Sequence, residues 1–530
     1  MKGYYVLKVL VFCKKKNFAN KMKKKYTYED AIQSDNFTHL LPEDFCTVVG
    51  LLIDTGFDRN EVSGVEKGIS LANDKLTQDL DDYWQAVLYY YIANGWASLQ
   101  RLRNQTGPNL SFVLESEEVE QEILHLRKSL VLAEKFDNSH LIAQILTNLG
   151  NAMDHVGRFV EAIYYWHWAL TINPGFGMAV GNLGFGLIHY ARVVYDEGHR
   201  FLFCKFAYQY LVQGAMDKQA HTEARRGFME TAKMLANNYG HEKLVADIDL
   251  NGHSLGSSIV EKAYRKWCIS NSLFLNPLND FIQANIVSHD CLFLPSITAG
   301  LDDPPLYHAL YNQLKQEYAT ARYLLYEGIS SGKPHFSDKG NLQVDTLDYA
   351  VYSLYTEKIK IAFRLCYSIF DKIAYFLNDY LEVGLQPDDV TFRKVWYQKG
   401  NRKLGLNPHL MNSQNWALRG LFWLSKDLLT KESEFSSQIL PESSQLVAIR
   451  NFIEHKSFMV IDMGESRRVH DGMTFQITRE DLIDKTLVLM KMARAAMMYL
   501  SFAIQIEEKK REDKLTMPVY MQDMLHQFKT

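Results

Sequence analysis

Prolines and glycines are scarce in this chain: 12 and 30 in 530 residues, with long stretches free of both. Both residues punctuate local structure, so their rarity favours long helices over many short strands joined by tight turns. The chain is read as mostly α. With 47% hydrophobic and 23% charged residues it has the composition of a folded, soluble protein. Its length suggests two to four domains with cores that need no disulfide or metal staples.

The formal charge of −4 creates no global field for nucleic acid, so any contact with RNA or DNA must come from a local basic patch. Cysteines stand at 13, 46, 204, 268, 291 and 366, never closer than 23 residues, which excludes CxxC zinc and redox spacings and suits a reducing cytoplasm. Tyr4 to Phe12 is apolar, but it carries Lys8, is shorter than the roughly 18 residues of a membrane span and lacks a small-residue cleavage site. No membrane anchor and no secretion are expected. Lys14, Lys15, Lys16, Lys21, Lys23, Lys24 and Lys25 follow; they read as a solvated basic arm over 1–29, with phosphate contact as the alternative.

Ala143 to Phe176 places Leu149-Gly150 in one helical pattern and Gly157-Arg158 at a turn. Ala162, Trp166 and Ala169 follow in a second, which Asn173-Pro174 ends. The segment resembles a tetratricopeptide repeat. Gly150 lets two helices approach while Trp166 fills the groove between them. Leu183-Gly184 recurs one repeat length later, although its partner helix departs from the pattern around Tyr195 to His199. One helix pair cannot bury its own apolar face, so Asp82 to Leu102, Val119 to Ala133 and Phe201 to Leu235 are expected to stack beside it, giving an α-solenoid over 30–245. Such an array binds a protein or peptide, or packs against its own C-terminal half.

A composition shift at Asn251-Gly252 opens an irregular segment over 250–300. Its polar groups Asn276, Asn279, His289 and Asp290 read as capped turns and satisfied core polars. Helices are expected from about Pro305 to Gly328, Leu347 to Leu381, Ser413 to Thr430 and Ser443 to His455. A last one is capped by Thr478 with Asp481 three residues on. Phe458 to Asp462 and Met473 to Ile477 read as two strands of a short β-hairpin within this helix bundle, which spans 301–510; a tail over 511–530 follows.

Arg450-Asn451-Phe452-Ile453-Glu454-His455 lies in the helix whose apolar stripe is Leu446, Ile449, Phe452 and Ile453. The run resembles the R-x(4–6)-H motif of the HEPN superfamily, in which an Asn after the Arg is a common form and fusion to N-terminal tetratricopeptide repeats occurs. The resemblance covers the helices from roughly 300 to 510. It implies an all-α bundle acting as a metal-independent endoribonuclease, with no cofactor, at the interface of a homodimer. Arg450, Asn451 and His455 would be the catalytic residues, and toxin or antiviral defence against transfer or messenger RNA the setting. The spacing alone is weak, because Arg192 to His199 and Arg402 to His409 also satisfy it.

The residue types suit that chemistry. A histidine titrates near pH 6.5 (about), within reach of general acid and base work, and an arginine offers a permanent forked donor to phosphate. Asn451 stands one turn before His455 and is expected to orient it. Arg450 and His455 diverge by roughly 140° on a regular helix, so one copy focuses both on a phosphate only where the helix ends near His455, and a two-fold dimer solves the problem otherwise. The bland alternative is an Arg450–Glu454 ion pair with His455 a polar helix end, in a non-catalytic interaction scaffold whose repeats bind a partner and whose bundle dimerises.

Gly252-His253-Ser254-Leu255-Gly256 matches the GxSxG pattern of a hydrolase elbow, with Val245 to Leu250 as its strand, but helical surroundings favour a domain junction. Tyr352, Tyr355, Tyr367 and Tyr375, near Glu357-Lys358, read as core rather than base-stacking platforms. Arg467-Arg468 with His470 is a possible phosphate contact.

Overall fold

The computed structural model describes residues 26–34, 37, 39–105, 114–298, 304–330, 334–345, 349–411, 413–428, 441–462, 473–511 and 524. The Lys14 to Lys25 arm and Arg467, Arg468 and His470 lie outside them, as does nearly all of the 511–530 tail.

Helices run in order through the first half: α1 (Tyr28–Gln33), α2 (Pro42–Asp58), α3 (Val62–Leu76), α4 (Asp82–Gln105), α5 (Glu117–Ala133), α6 (Ser139–His155), α7 (Phe159–Ile172), α8 (Gly177–Ala191), α9 (Glu197–Met216), α10 (Thr222–Tyr239) and the short α11 (His241–Val245). Local chemistry sets several starts. Ser116, Asn138 and Asp196 each accept a hydrogen bond from a first-turn backbone N–H, satisfying a donor the helix leaves unpaired. Consecutive helices from α4 to α10 pack on one another, as a stacked array requires.

The α6–α7 pair is fitted as its sequence demands. A Cβ on Gly150 would fall 2.5 Å from Trp166 Nε1. The indole N–H donates to Thr147 O and to Asn151 Oδ1, 3.3 and 3.2 Å away. Gly184 plays the same part in α8, where a Cβ would press on Leu211 and the Ala207 carbonyl of α9. The stretch Phe201 to Leu235 is two helices, α9 and α10, broken at Asp217 to His221.

Two apolar cores result. One joins Tyr28 to Ala179; the other runs from Leu114 to Ile504, straight across the composition shift at Asn251-Gly252. The segment after that shift includes a full helix, α12 (Ile259–Ser270). Its buried asparagines are satisfied: Asn276 accepts from Leu278 N at 3.1 Å, and Asn279 accepts from Phe274 N at 3.2 Å. Asp290 is held by both Nη atoms of Arg322, 2.8 and 2.7 Å away.

The second half comprises α13 (Leu306–Ile329), α14 (Phe336–Lys339), α15 (Leu354–Tyr380), α16 (Pro408–Met411), α17 (Trp416–Asp427), α18 (Pro441–His455) and α19 (Arg479–Lys509). Helix α15 starts seven residues later than its apolar pattern suggests, at the Ser353 cap and after Tyr349 with φ 58°. Thr478 caps α19 by accepting from Asp481 N at 3.0 Å. Helix α19 is long and apolar enough to cross a membrane, but 83% of its most apolar stretch is buried among the other helices, as befits the central helix of a bundle.

The two strands are β1 (Ser457–Ile461) and β2 (Thr474–Thr478), and they pair in parallel, Ser457 opposite Thr474 and Ile461 opposite Thr478. They are therefore a crossover pair and not the expected hairpin; the stretch between them meets the roughly dozen residues a parallel return needs. The other edge of β1 takes an antiparallel bridge from Ala350 to Ile461, with Val351 N donating to Val460 O at 2.7 Å.

Helix α17 fastens the halves together, so the repeat-like helices do pack against the chain's own C-terminal half. Trp416 Nε1 donates to Asp154 O at 2.9 Å, Trp423 Nε1 to Leu114 O at 2.9 Å, and Arg419 to His155 O at 3.2 Å. Gly157, at φ 83°, meets Gly420 backbone to backbone, and a Cβ on either would strike the other's neighbourhood. Burial and the nearby Arg419 and Arg101 push His155 down to about 3, so it stays neutral and shares its Nε2 with Gln100.

At the end of α17 the buried Asp427 carboxylate receives Arg127 Nη1 on Oδ1 at 3.0 Å and Arg158 Nη1 on Oδ2 at 2.5 Å. Arg158 also pairs with Glu161 at 2.8 Å, and Glu161 accepts the Tyr499 hydroxyl of α19. Burial alone would raise the Asp427 carboxyl, but the two guanidinium groups outweigh it and hold the group below its ordinary value. Asp427→Ala leaves two arginines buried without their partner and should cost about 3–5 kcal/mol of stability in chemical denaturation. Because the folded-state value is depressed, the wild type's advantage over Asp427→Asn should be fully present above the ordinary carboxylate range, about pH 4, and fade as pH falls further.

Candidate functional site

Helix α18 presents its apolar side to the bundle. Leu446 and Ile449 are fully buried, Phe452 nearly so, and Ile453 is partly covered, which is the stripe expected from the sequence. The polar residues of the motif fall on the opposite flank: Arg450 is half-buried, and Asn451 and His455 are exposed. The helix ends at His455 and β1 begins two residues later, so His455 stands on a terminus and not in mid-helix.

Two partnerships differ from those expected. Glu454 is engaged across the bundle, accepting both Nε and Nη2 of Arg364 from α15 at 2.8 and 2.9 Å, and the Arg450–Glu454 helix pair does not form. Asn451 Oδ1 receives Arg450 Nη1 at 3.3 Å and is not directed to His455. The acceptor oxygen goes to its immediate neighbour because the two side chains share the same flank.

The guanidinium carbon of Arg450 lies 5.4 Å from the centre of the Tyr367 ring, a cation–π distance. Lys360, Arg364, Tyr367 and Asp371 recur every three or four residues, so they form one face of α15, the face that meets α18. Burial pushes the Asp371 carboxyl up, while Arg450, the Phe392 backbone and Arg393 pull it back. Burial also raises the Tyr367 phenol, with Asp371 adding to the rise and Arg393 and Arg450 opposing it. Arg364, Tyr367 and Asp371 were not among the expected site residues. Their signal was the three- to four-residue spacing that lines them up with Lys360 along one side of the helix.

Other candidates separate cleanly. Residues 246–258 contain no strand, and exposed Ser254 only accepts Gly256 N at 3.1 Å, so the strand–turn–helix of a hydrolase elbow is absent there. Arg192 caps the end of α8, and Arg402 opens a single 3-10 turn, Arg402–Leu404. Of the four tyrosines read as core, Tyr352 and Tyr375 are 47% and 46% exposed, while Tyr355 and Tyr367 are half-buried. Glu357 pairs with Lys360 at 2.7 Å and Lys358 with Glu327 at 2.8 Å, ordinary helix-surface ion pairs.

Residues 298–507 match the family described as LA2681-like HEPN. The match supports the HEPN resemblance for the C-terminal half, taking in α13 to α18 and nearly all of α19, and with it the coarse possibility of an enzymatic role. No curated protein and no solved structure matches the chain.

The Arg364–Glu454 pair is 49% and 26% exposed, in the range where solvent screens most of the attraction. Glu454→Gln should therefore lower stability by no more than about 1 kcal/mol, measured by denaturant titration, and leave the helical circular-dichroism signal unchanged.

Proposed function

We propose that this chain is a metal-independent endoribonuclease whose active groups are Arg450, Asn451 and His455. The observation that carries the reading is that the motif, inside the matched HEPN span, keeps its polar groups at the surface: Glu454 is occupied by Arg364, which leaves Arg450 beside Asn451. His455 at the helix end serves as general base or acid, taking the 2′-hydroxyl proton or returning one to the leaving 5′-oxygen. Attack of the 2′-oxygen on phosphorus expels the 5′-oxygen and yields a 2′,3′-cyclic phosphate and a 5′-hydroxyl. Arg450 stabilises the charge on the phosphorane oxygens, and Asn451 holds Arg450 in place.

In this reading the complete site is formed where a two-fold axis brings the motifs of two copies together, as the HEPN resemblance implies. In this reading the repeat-like helices engage a protein or peptide that targets or regulates cleavage, with transfer or messenger RNA as substrate in toxin or antiviral defence.

Incubation of the full chain with total cellular RNA in EDTA is expected to give fragments with cyclic-phosphate ends. His455→Ala and Arg450→Ala should each reduce the rate by about a hundred- to ten-thousandfold without a change in thermal unfolding. Equal cleavage by the wild type and both variants, or fragments lacking cyclic phosphate, overturns the assignment. Intact RNA under all conditions favours a scaffold in which repeats and bundle only bind partners.

A further inference from the structure

Between Asp389 and Asp427 the chain contains no Asp or Glu, yet it carries Arg393, Lys394, Lys399, Arg402 and Lys403 within residues 390–403. In a protein with a net charge of −4, this is a local concentration of positive charge out of keeping with the whole. Its shape is well defined. Tyr397 and Leu406 form an antiparallel bridge, Gln398 N donates to Gly405 O at 3.0 Å, and Asn407 N donates to Trp396 O at 2.9 Å. The tip turns through residues of positive φ, Lys399 at 49°, Gly400 at 67° and Gly405 at 81°, and Asn401 Oδ1 accepts Lys403 N at 3.0 Å.

The base of this loop is anchored. Trp396 is fully buried against Phe422, with ring centres 5.6 Å apart, and Phe392 packs on Phe370 of α15 at 5.3 Å. The tip is exposed at Lys399, Arg402 and Lys403. Among the described residues Lys399 and Lys403 carry no ion pair, and Arg402 reaches Glu115 only at 3.8 Å. A hairpin that holds Lys399 and Lys403 in water without an ion pair, and Arg402 in only a long one, gains little for folding from them.

The loop also leads to the candidate site. Arg393 at its root and Arg450 of α18 act on the same Asp371 carboxyl and the same Tyr367 ring. The root of the loop at Arg393 therefore lies near the motif helix, where it and Arg450 share the Asp371 carboxyl.

We propose that the 393–403 hairpin is a docking surface for the RNA phosphate backbone, with Lys399, Arg402 and Lys403 binding phosphates and so feeding the strand toward Arg450 and His455. The cations contact phosphate and not base edges, so they add affinity without sequence preference. The assignment of RNA as the ligand rests on the ribonuclease reading; the loop's geometry does not.

The test uses the full chain and a fluorescein-labelled 2′-O-methyl oligoribonucleotide, which lacks the nucleophile and cannot be cut. Binding is followed by anisotropy across a salt series. The variant Lys399→Gln, Arg402→Gln, Lys403→Gln removes three tip charges. A control, Lys233→Gln, Lys243→Gln, Lys262→Gln, removes three exposed charges elsewhere. The loop variant should bind about tenfold or more weakly at low salt, and the slope of log affinity against log salt should shrink by about 2, at roughly 0.7 per phosphate contact. The control should match the wild type in both.

Unchanged binding by the loop variant, an equal loss in the control, or no binding by the wild type overturns the docking surface. Cleavage of ordinary RNA by the same preparations separates the two readings. Cleavage by the wild type with binding indifferent to the loop removes the surface and leaves the ribonuclease; loop-dependent binding without cleavage removes the ribonuclease and leaves the surface.

Discussion

The docking of α17 on the repeat-like helices turns on one buried carboxylate. Asp427 ends α17 with almost no solvent contact, and a lone charge there would be prohibitive. It is tolerable because α5 supplies Arg127 and the α6–α7 turn supplies Arg158, and because Glu161 accepts Nε and Nη2 of Arg158 together with the Tyr499 hydroxyl. Four separate segments are thereby required to meet at one point. A hydrophobic interface can slide by part of a turn at small cost; a buried ion cluster with directional hydrogen bonds cannot. The docking of the repeat-like helices on the bundle is set by geometry more than by area.

That arrangement bears on the motif helix. Helix α18 is the next described element after α17, and it lies against α15, which packs on α13 and α19. Arg450 is steered by a ring on α15, and Glu454 by an arginine on α15. The motif thus rests on a neighbour held within the bundle, and its polar groups are presented from a fixed platform.

Features governed by short-range chemistry were legible in the sequence. Gly150 opposite Trp166, the Leu446 to Ile453 stripe and the Thr478 cap all depend on residues at most a helix pair apart, and each stands as the pattern implied. What escaped was long-range. Arg127 and Asp427 are 300 residues apart, and Arg364 and Glu454 are 90 apart, so no periodicity links them. The strand pair shows the same limit: both strands were placed to within a residue, but their relative direction depends on the path of the connection, which the strand residues themselves do not encode. At the site, the helix end at His455 was legible, whereas the donor that Asn451 accepts was settled by its neighbour Arg450 and the partner taken by Glu454 by what α15 presents.

The meeting of Gly157 with Gly420 carries a consequence for how such a chain can change. Two positions 263 apart in sequence (420 − 157) share one volume that holds hydrogen atoms only. Neither can gain a methyl group unless the turn and α17 move apart, and that separation would pull Arg158 away from Asp427. Across variants of this protein, the two glycines should therefore behave as a single locus, lost or kept together with the charge cluster beside them.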